Sequence, residues 1–358
     1  MTENISETIG CDLGDKKSEI RVFAANGEMV ERASVRTTRQ GMTGFFKRRA
    51  PAHVVIEVGA QSRWVSELLV ELGHRVTVAN PRRVKLISQN DDKDDPVDAE
   101  LLGRLGRVDV KLLAPVKHRG SQAQMDLAVP KARDLLVGMR TKLVNHVRST
   151  VKTLGERLPR CSAESFGRST RGLIPTALKA ALEPMYQVLE RIDEQIREQD
   201  KMIERLGKRY PDVAVVSQVS GVGTLTALVF VLTVEDKERF RSSRMLGAYF
   251  GLRPRRRKSG DSDPQLRITK AGDPFVRRLL VNAANYILGP FAPESDLRRW
   301  GLELAKRGGK NAKKRAKVAV ARKLAVLMHR LWVTGEVYQA TGYQQHQTEE
   351  KAEEKAVA

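Results

Sequence analysis

The chain has little of what would place it outside the cell or in a membrane. Cysteine occurs only at Cys11 and Cys161 in 358 residues. Two thiols cannot build a zinc site alone, and they read as small buried residues of a reducing compartment. The most apolar run, TLTALVFVLT at 224–233, is about half the length of a membrane-crossing helix. The opening MTENISETIGCD lacks the basic start and apolar core of a secretory signal. The expectation is a soluble cytoplasmic protein with no membrane partner.

Negative charge is also scarce. Lys and Arg number 64 against 43 Asp and Glu, a formal net charge of +21, with an isoelectric point near 10.2. At this size such an excess implies a polyanionic partner, most simply nucleic acid, rather than a merely solubilising surface. Aromatic residues are 5% of the chain, so affinity would come from tracking the phosphate backbone more than from base stacking. The apolar share of 41% supplies buried cores and excludes a disordered chain, and the length predicts two or three domains.

The scarce acids gather in one place. NDDKDDPVDAELLGRL, residues 90–105, puts Asp91, Asp92, Asp94, Asp95, Asp98 and Glu100 within ten positions. The sequence around this run predicts a mixed α/β domain over 1–115. TIGCDLG, EIRVFA, EMVERASV, HVVIEV and HRVTVAN read as strands, with ANG as a hairpin turn in which Gly27 takes positive φ. QGMTGFFKRR, SRWVSELLVELG and PVDAELLGRLGR read as helices. Over 116–207 strand signals vanish. Leu178, Leu182, Met185, Leu189, Ile192 and Ile196 follow a heptad seam, and Leu136, Met139, Leu143, Val147 and Val151 form a second stripe. The spacing fits a coiled coil, either as a hairpin packed on itself or as a dimer seam. Residues 208–340 form a mainly helical, basic domain, and the polar tail 341–358 is expected to be disordered.

Within the acidic run, Asp95 before Pro96 is a natural N-cap, and Asp98 stands where a capping-box partner would. That local reading has a rival. Asp12 lies near the end of the first strand, and Glu57 ends the apolar run HVVIEV, where an ionised group is costly unless paired or bound to metal. Asp95 and Asp98, three apart, share a helix face. In a mixed sheet of this order the first and fourth strands are neighbours, so Asp12, Glu57, Asp95 and Asp98 can converge. Four carboxylates together repel unless cations bind. Oxygen ligands suit Mg²⁺ or Mn²⁺, and paired ions of that kind cut phosphodiesters. Capping and metal binding are compatible for Asp95.

These residues carry a resemblance. Asp12 on strand one, Glu57 in IEVG, and KDDPVDA with Asp95 and Asp98 resemble the DEDD set of a RuvC-like, ribonuclease-H-type domain. VSQVSGVGTLTALVFV, FRSSRMLGAYFGLRPRRRKSGDS and RITKAGDPFVRRLLVNAA are similar to the C-terminal part of the DEDD transposases of IS110-type insertion sequences, described as bridge-RNA-guided recombinases. The similarity spans roughly residues 7–340. It implies divalent metal binding by Asp12, Glu57, Asp95 and Asp98 and a nucleophilic serine at Ser259 in RRRKSGD. It further implies a phosphoserine link to DNA, composite sites between subunits of a homo-oligomer (dimer or tetramer), and a structured RNA that pairs with donor and target DNA. EVGA at 57–60 and KDDPVDA at 93–99 depart from the family's usual EATG and KTDRIDA, but the carboxylates are kept.

Chemistry alone reads Ser259 as an ordinary turn residue, since no neighbouring histidine offers a base. The adjacent Arg255, Arg256, Arg257 and Lys258, with Arg267 and Lys270, could nevertheless hold a phosphate under attack. SGVG at 220–223 reads as a helix-hairpin-helix element whose Gly221 and Gly223 let backbone N–H groups approach a phosphate, or as a plain tight turn. KRGGKNAKKRAK at 306–317, with Lys310, Lys313, Lys314 and Arg315, reads as a phosphate-contacting surface. A junction resolvase or nuclease would need the acids but not Ser259; a non-catalytic nucleic-acid binder would need neither.

Overall fold

The computed structural model describes residues 7–81, 95–264 and 266–342, with only the backbone of Asp95. Asp91, Asp92, Asp94 and the tail from 343 onward lie outside the described residues. The chain divides into two compact units, Met1–His118 and Arg119–Ala358.

In the first unit the elements follow the expected order: β1 (Thr8–Leu13), β2 (Lys17–Phe23), β3 (Met29–Arg36), α1 (Arg39–Phe46), β4 (His53–Glu57), α2 (Ser62–Glu71), β5 (Arg75–Ala79) and α3 (Asp95–Val108). The sheet order is β3-β2-β1-β4-β5. β1, β2 and β3 form an antiparallel meander, while β1, β4 and β5 run parallel. This mixed five-stranded sheet is consistent with a ribonuclease-H-like domain. Gly27, at φ 96°, turns the chain between β2 and β3, a conformation that costs glycine nothing.

Strand alternation sorts the side chains onto two faces. Ile9 and Cys11 of β1, Ile20 and Val22 of β2, and Val54 and Ile56 of β4 pack against Met42 and Phe46 of α1 and Val65 and Leu69 of α2. β4 is central and His53–Ile56 are buried, whereas edge strand β3 alternates exposed and half-buried positions. On the other face Val55 and Ala79 meet Leu102 of α3 and Leu113. α3 lies against this face at backbone distance. A Cβ added to Gly10 would stand 1.9 Å from the Ala99 carbonyl oxygen and 2.5 Å from the Gly103 nitrogen. One on Gly106 would stand 2.5 Å from a Val55 methyl.

The second unit is helical: α4 (Ser121–Asp126), α5 (Ala128–Lys152), α6 (Phe166–Thr170), α7 (Thr176–Arg209), α8 (Pro211–Val216), α9 (Thr224–Val234), α10 (Met245–Tyr249), α11 (Pro274–Ile287), α12 (Asp296–Lys306) and α13 (Ala312–Thr334). α5 and α7 pair antiparallel within the chain. Arg133 bonds Asp200, Arg140 bonds Asp193, and Val144, Val147 and Val151 pack with Leu182, Tyr186 and Leu189. The α7 seam buries Leu182, Leu189, Ile192 and Ile196 as expected. On α5 the stripe differs: Met139 is 43% exposed and Arg140 is buried instead. The guanidinium of Arg140 donates to Asp193 at 2.8 Å, so an ion pair occupies a seam position that a hydropathy pattern assigns to an apolar side chain.

α9 is the apolar TLTALVFVLT segment. Ala227–Val234 are all buried, because α9 runs through the centre of a core to which Leu246, Phe250, Leu280, Leu324 and Met328 also contribute. A helix apolar on every side needs such a jacket. Among the described residues no helix is long and apolar enough to cross a membrane.

Candidate active site and nucleic-acid surfaces

Two of the four candidate carboxylates sit on neighbouring strands. β1 and β4 pair in parallel, with Gly10 opposite Val55 and Cys11 opposite Ile56. One step further brings Asp12 and Glu57 side by side at the strand ends. By alternation Asp12 shares the face of Gly10, and Glu57 the face of Val55; this is the face α3 covers.

The other two acids come from that helix. Ala99 lies over Gly10, while Gly106 lies over Val55 and His53. α3 therefore runs back along the sheet, and its first turn, Asp95–Asp98, begins at the end where Asp12 and Glu57 stand. Gly10, Gly103 and Gly106 make this close seat possible. Sequence reasoning passed over them, although the G-x-x-G spacing on a helix beside a strand glycine was a usable signal.

The local field at the strand end is negative. Burial pushes the Cys11 thiol up, and the charges of Asp12 and then Glu19 push it further. Cys11 itself faces the opposite layer with Ile9, so the donors on the α3 face are carboxylate oxygens. That donor chemistry fits a hard divalent cation. Among the described residues no three His, Cys, Asp or Glu side chains stand close enough to hold an ion; the side chain of Asp95 lies outside that set.

Ser259 belongs to the second unit, at the tip of an exposed arm. Arg255 N donates to Arg267 O at 2.9 Å and Thr269 N to Arg253 O at 2.9 Å, pairing the arm's two sides. Ser259 and Ser262 exchange backbone bonds of 3.1 and 3.0 Å around Gly260, which takes φ 54°. The root is tight. A Cβ on Gly251 (φ 68°) would stand 2.0 Å from Ala271 O, and one on Gly272 (φ 74°) 2.0 Å from Tyr249 O. Arg277 donates to Phe250 O and Ala271 O at 3.0 and 2.9 Å, clamping both sides.

Residues 253–270 carry seven Lys and Arg against Asp261 and Asp263. Arg256 bonds Asp263 at 3.2 Å; Arg255, Arg257, Lys258 and Arg267 are exposed and make no ion pair among the described residues. Lys270, at φ 55°, stands at the root. Arg253, which pattern reading omitted, belongs to the same basic surface.

Comparison with known proteins decides the family. Residues 213–296 match the Transposase IS116/IS110/IS902 family, and residues 9–155 match a second transposase family of the DEDD type. The transposase for insertion sequence element IS1111A of Coxiella burnetii is 30% identical over 80% of this chain and 79% of its own length. A probable family 20 transposase of Pseudomonas aeruginosa is 28% identical, covering 89% and 95% respectively. The transposase for insertion sequence element IS1328 of Yersinia enterocolitica is 28% identical over 77% and 82%. The chain belongs to the IS110 transposase family.

This transposase is therefore an enzyme that acts on DNA. Two further groups of residues singled out in the sequence remain to be placed. Lys310, Lys313, Lys314 and Arg315 surround the start of α13 and are all exposed, with no ion pair among the described residues. Pro211–Val216, a turn and α9 contain Gly221 and Gly223. Gly221 takes φ 91°, and Gly223 precedes α9 with no side-chain cap, leaving the first N–H groups of that helix without a capping side chain.

Proposed function

We propose that this transposase cuts and rejoins DNA through a phosphoserine link made by Ser259, with divalent cations held by Asp12, Glu57, Asp95 and Asp98, and with a structured bridge RNA selecting donor and target duplexes. The observation that carries the reading is the pair Asp12 and Glu57 at the ends of adjacent parallel strands, beneath a helix whose first turn bears two more carboxylates. A strand fixes its side chains better than a loop does, which like charges destined for one cation require. Mg²⁺ suits this donor set and Mn²⁺ would substitute. Bound there, such a cation would supply Lewis-acid stabilisation of charge on the phosphate oxygens.

The chain's own groups do the rest. Arg255, Arg257 and Arg267 would orient the scissile phosphate by paired N–H donation, with Arg256, Lys258 and Lys270 adding to the field. The Ser259 oxygen attacks phosphorus, an Oγ–P bond forms and the bond to a sugar oxygen breaks. The hydroxyl proton ends on the released sugar oxygen. The ester is conserved in the phosphoserine, so attack by a different sugar hydroxyl reverses the step and joins a new strand. Gly221 and Gly223, and Lys310, Lys313, Lys314 and Arg315, would hold the duplex by its backbone. Exchange between two duplexes requires several such centres, which favours a homo-oligomer, a dimer or tetramer.

The test is a denaturing gel of the transposase reacted with labelled element-end DNA and its RNA. A covalent protein–DNA adduct is expected from the wild type, absent in Ser259→Ala. In Asp12→Asn and Glu57→Gln the adduct should fall at least a hundredfold. Strand cutting that survives Ser259→Ala would replace this reading with that of a serine-independent nuclease, and normal recombination by both acid variants would remove the metal site.

A further inference from the structure

Aromatic residues are few, but their exposure is not random. Among the described residues only two aromatic side chains are exposed, Tyr286 at 48% and Phe291 at 90%. They lie five residues apart, at the end of α11 and in the loop that follows.

Tyr286 borders the turn before α9, and Phe291 follows it in the loop whose next residue, Ala292, lines a hollow at that turn. Val219 and Ser220 line two hollows. Tyr286 and Asn282 close one of them, and Ala292, beside Phe291, lines the other. Gly221 at φ 91° brings the turn against the Tyr286 ring, where an added Cβ would stand 2.8 Å from the ring edge. The loop carrying Phe291 is braced. Arg298 donates to Ile287 O at 2.7 Å and to Gly289 O, and Ser295 caps α12 by accepting from Arg298 N at 3.2 Å. Phe291 is thus held outward by a fixed loop, its apolar area left in water although burial of such a side chain is strongly favoured.

We infer that Tyr286 and Phe291 form a stacking platform for unpaired bases of a DNA strand that leaves the duplex at the site of exchange. The hollow beside Tyr286 has a mixed lining, Ser220 and Asn282 beside Val222 and Leu279, so polar groups for base edges and sugars adjoin apolar carbon for base faces. The chain's charge of +21 and its membership of a DNA-acting family specify the polyanion. In a duplex each base face is covered by its neighbour, so an aromatic face gains a partner only from a base that has left the stack. The platform depends on the family's DNA substrate and not on Ser259 or on any metal.

The experiment measures binding of the full chain to a short single-stranded DNA by fluorescence anisotropy, beside a duplex and a single-stranded RNA of the same sequence. A 2-aminopurine base reports stacking directly. Phe291→Ala and Tyr286→Ala should each weaken single-stranded DNA binding by roughly 5- to 150-fold, the range of one lost stacking contact. Duplex binding should stay within about twofold, and 2-aminopurine quenching should disappear. Phe291→Trp should restore both signals, while Phe291→Leu, which keeps an apolar side chain without a π-face, should behave like Ala even if the Ala variant folds poorly. Equal losses on duplex and single strand, no loss on either, a loss confined to RNA, or full binding by Phe291→Leu would each overturn the platform. The last two outcomes point to an RNA contact and to a plain apolar contact, respectively.

Discussion

Replacing Gly10 by alanine should damage catalysis more than stability. The added carbon would stand 1.9 Å from the Ala99 carbonyl oxygen and 2.5 Å from the Gly103 nitrogen, whereas ordinary non-bonded contacts begin above about 3.4 Å. Both neighbours are backbone and cannot rotate away, so α3 must retreat by about 1.5 Å. Overpacking of this kind costs about 1–3 kcal/mol, which a unit with two filled sheet faces can survive. The same retreat carries Asp98 off the sheet that bears Asp12 and Glu57. Displacing a catalytic group by about 1 Å costs on the order of a hundredfold in rate. The assay pairs a urea titration with a recombination rate on the same preparation. A lower urea midpoint with at least a hundredfold lower rate is expected. Gly138→Ala is the control: nothing lies within 4 Å of that position on α5, so it should stabilise the helix by about 0.5–1 kcal/mol and leave the rate alone. If Gly10→Ala recombines within twofold of wild type while unfolding earlier, the seat of α3 does not position the acids.

Three further outcomes follow from particular groups. Replacing Lys310, Lys313, Lys314 and Arg315 together by alanine should reduce the slope of log affinity for duplex against log salt by roughly 3 to 4, at about 0.9 per phosphate contact; an unchanged slope means they do not touch DNA. His53 is 2% exposed and bonds Thr77 Oγ1 at 2.8 Å; burial first and Arg75 second push its pKa from 6.5 down to about 4. The unfolded chain therefore takes up the proton first. The stability His53 contributes is complete above pH 6.5 and lost as pH falls toward 4, by up to about 3 kcal/mol, and His53→Gln should flatten that part of the stability–pH curve. On α5, Arg140→Ala leaves Asp193 facing the seam without its cation and should cost about 2–3 kcal/mol in a urea titration, less than a fully dry pair because Asp193 keeps some exposure. Leucine at both positions should recover most of it.

The first unit was legible because its elements obey local rules. The apolar VVI within HVVIE is typical of a central strand, ANG is a hairpin signal, and Gly73 ends α2 at φ 88° as a C-terminal stop should. From that order the adjacency of β1 and β4, and so of Asp12 and Glu57, followed. What escaped was tertiary. The antiparallel pairing of α5 with α7 inside one chain could not be told from a dimer seam, because both bury the same heptad positions. Arg140 broke the α5 stripe because an ion pair with Asp193, 53 residues away, makes a charged side chain a seam residue. Nor can a composition register which aromatic side chains are left in water, among the described residues Tyr286 and Phe291.

The two halves of the proposed chemistry are built on opposite kinds of support, and the reason lies in what each must do. Carboxylates that share a cation repel until it arrives, so they belong on strands and a close-packed helix, where the backbone prevents them from drifting apart. A nucleophile that must meet a phosphate on a bulky duplex needs reach instead. Ser259 has it, standing at the end of a two-sided arm with exposed residues along 253–264. A lone two-stranded hairpin is marginally stable in water, and the like charges of Arg255, Arg256, Arg257 and Lys258 oppose its closure further. Phosphates would remove that repulsion. On this reading the arm is ordered best when DNA lies across it, so the serine reaches its working position only with substrate present, while the tight root at Gly251, Gly272 and Arg277 fixes where the arm begins.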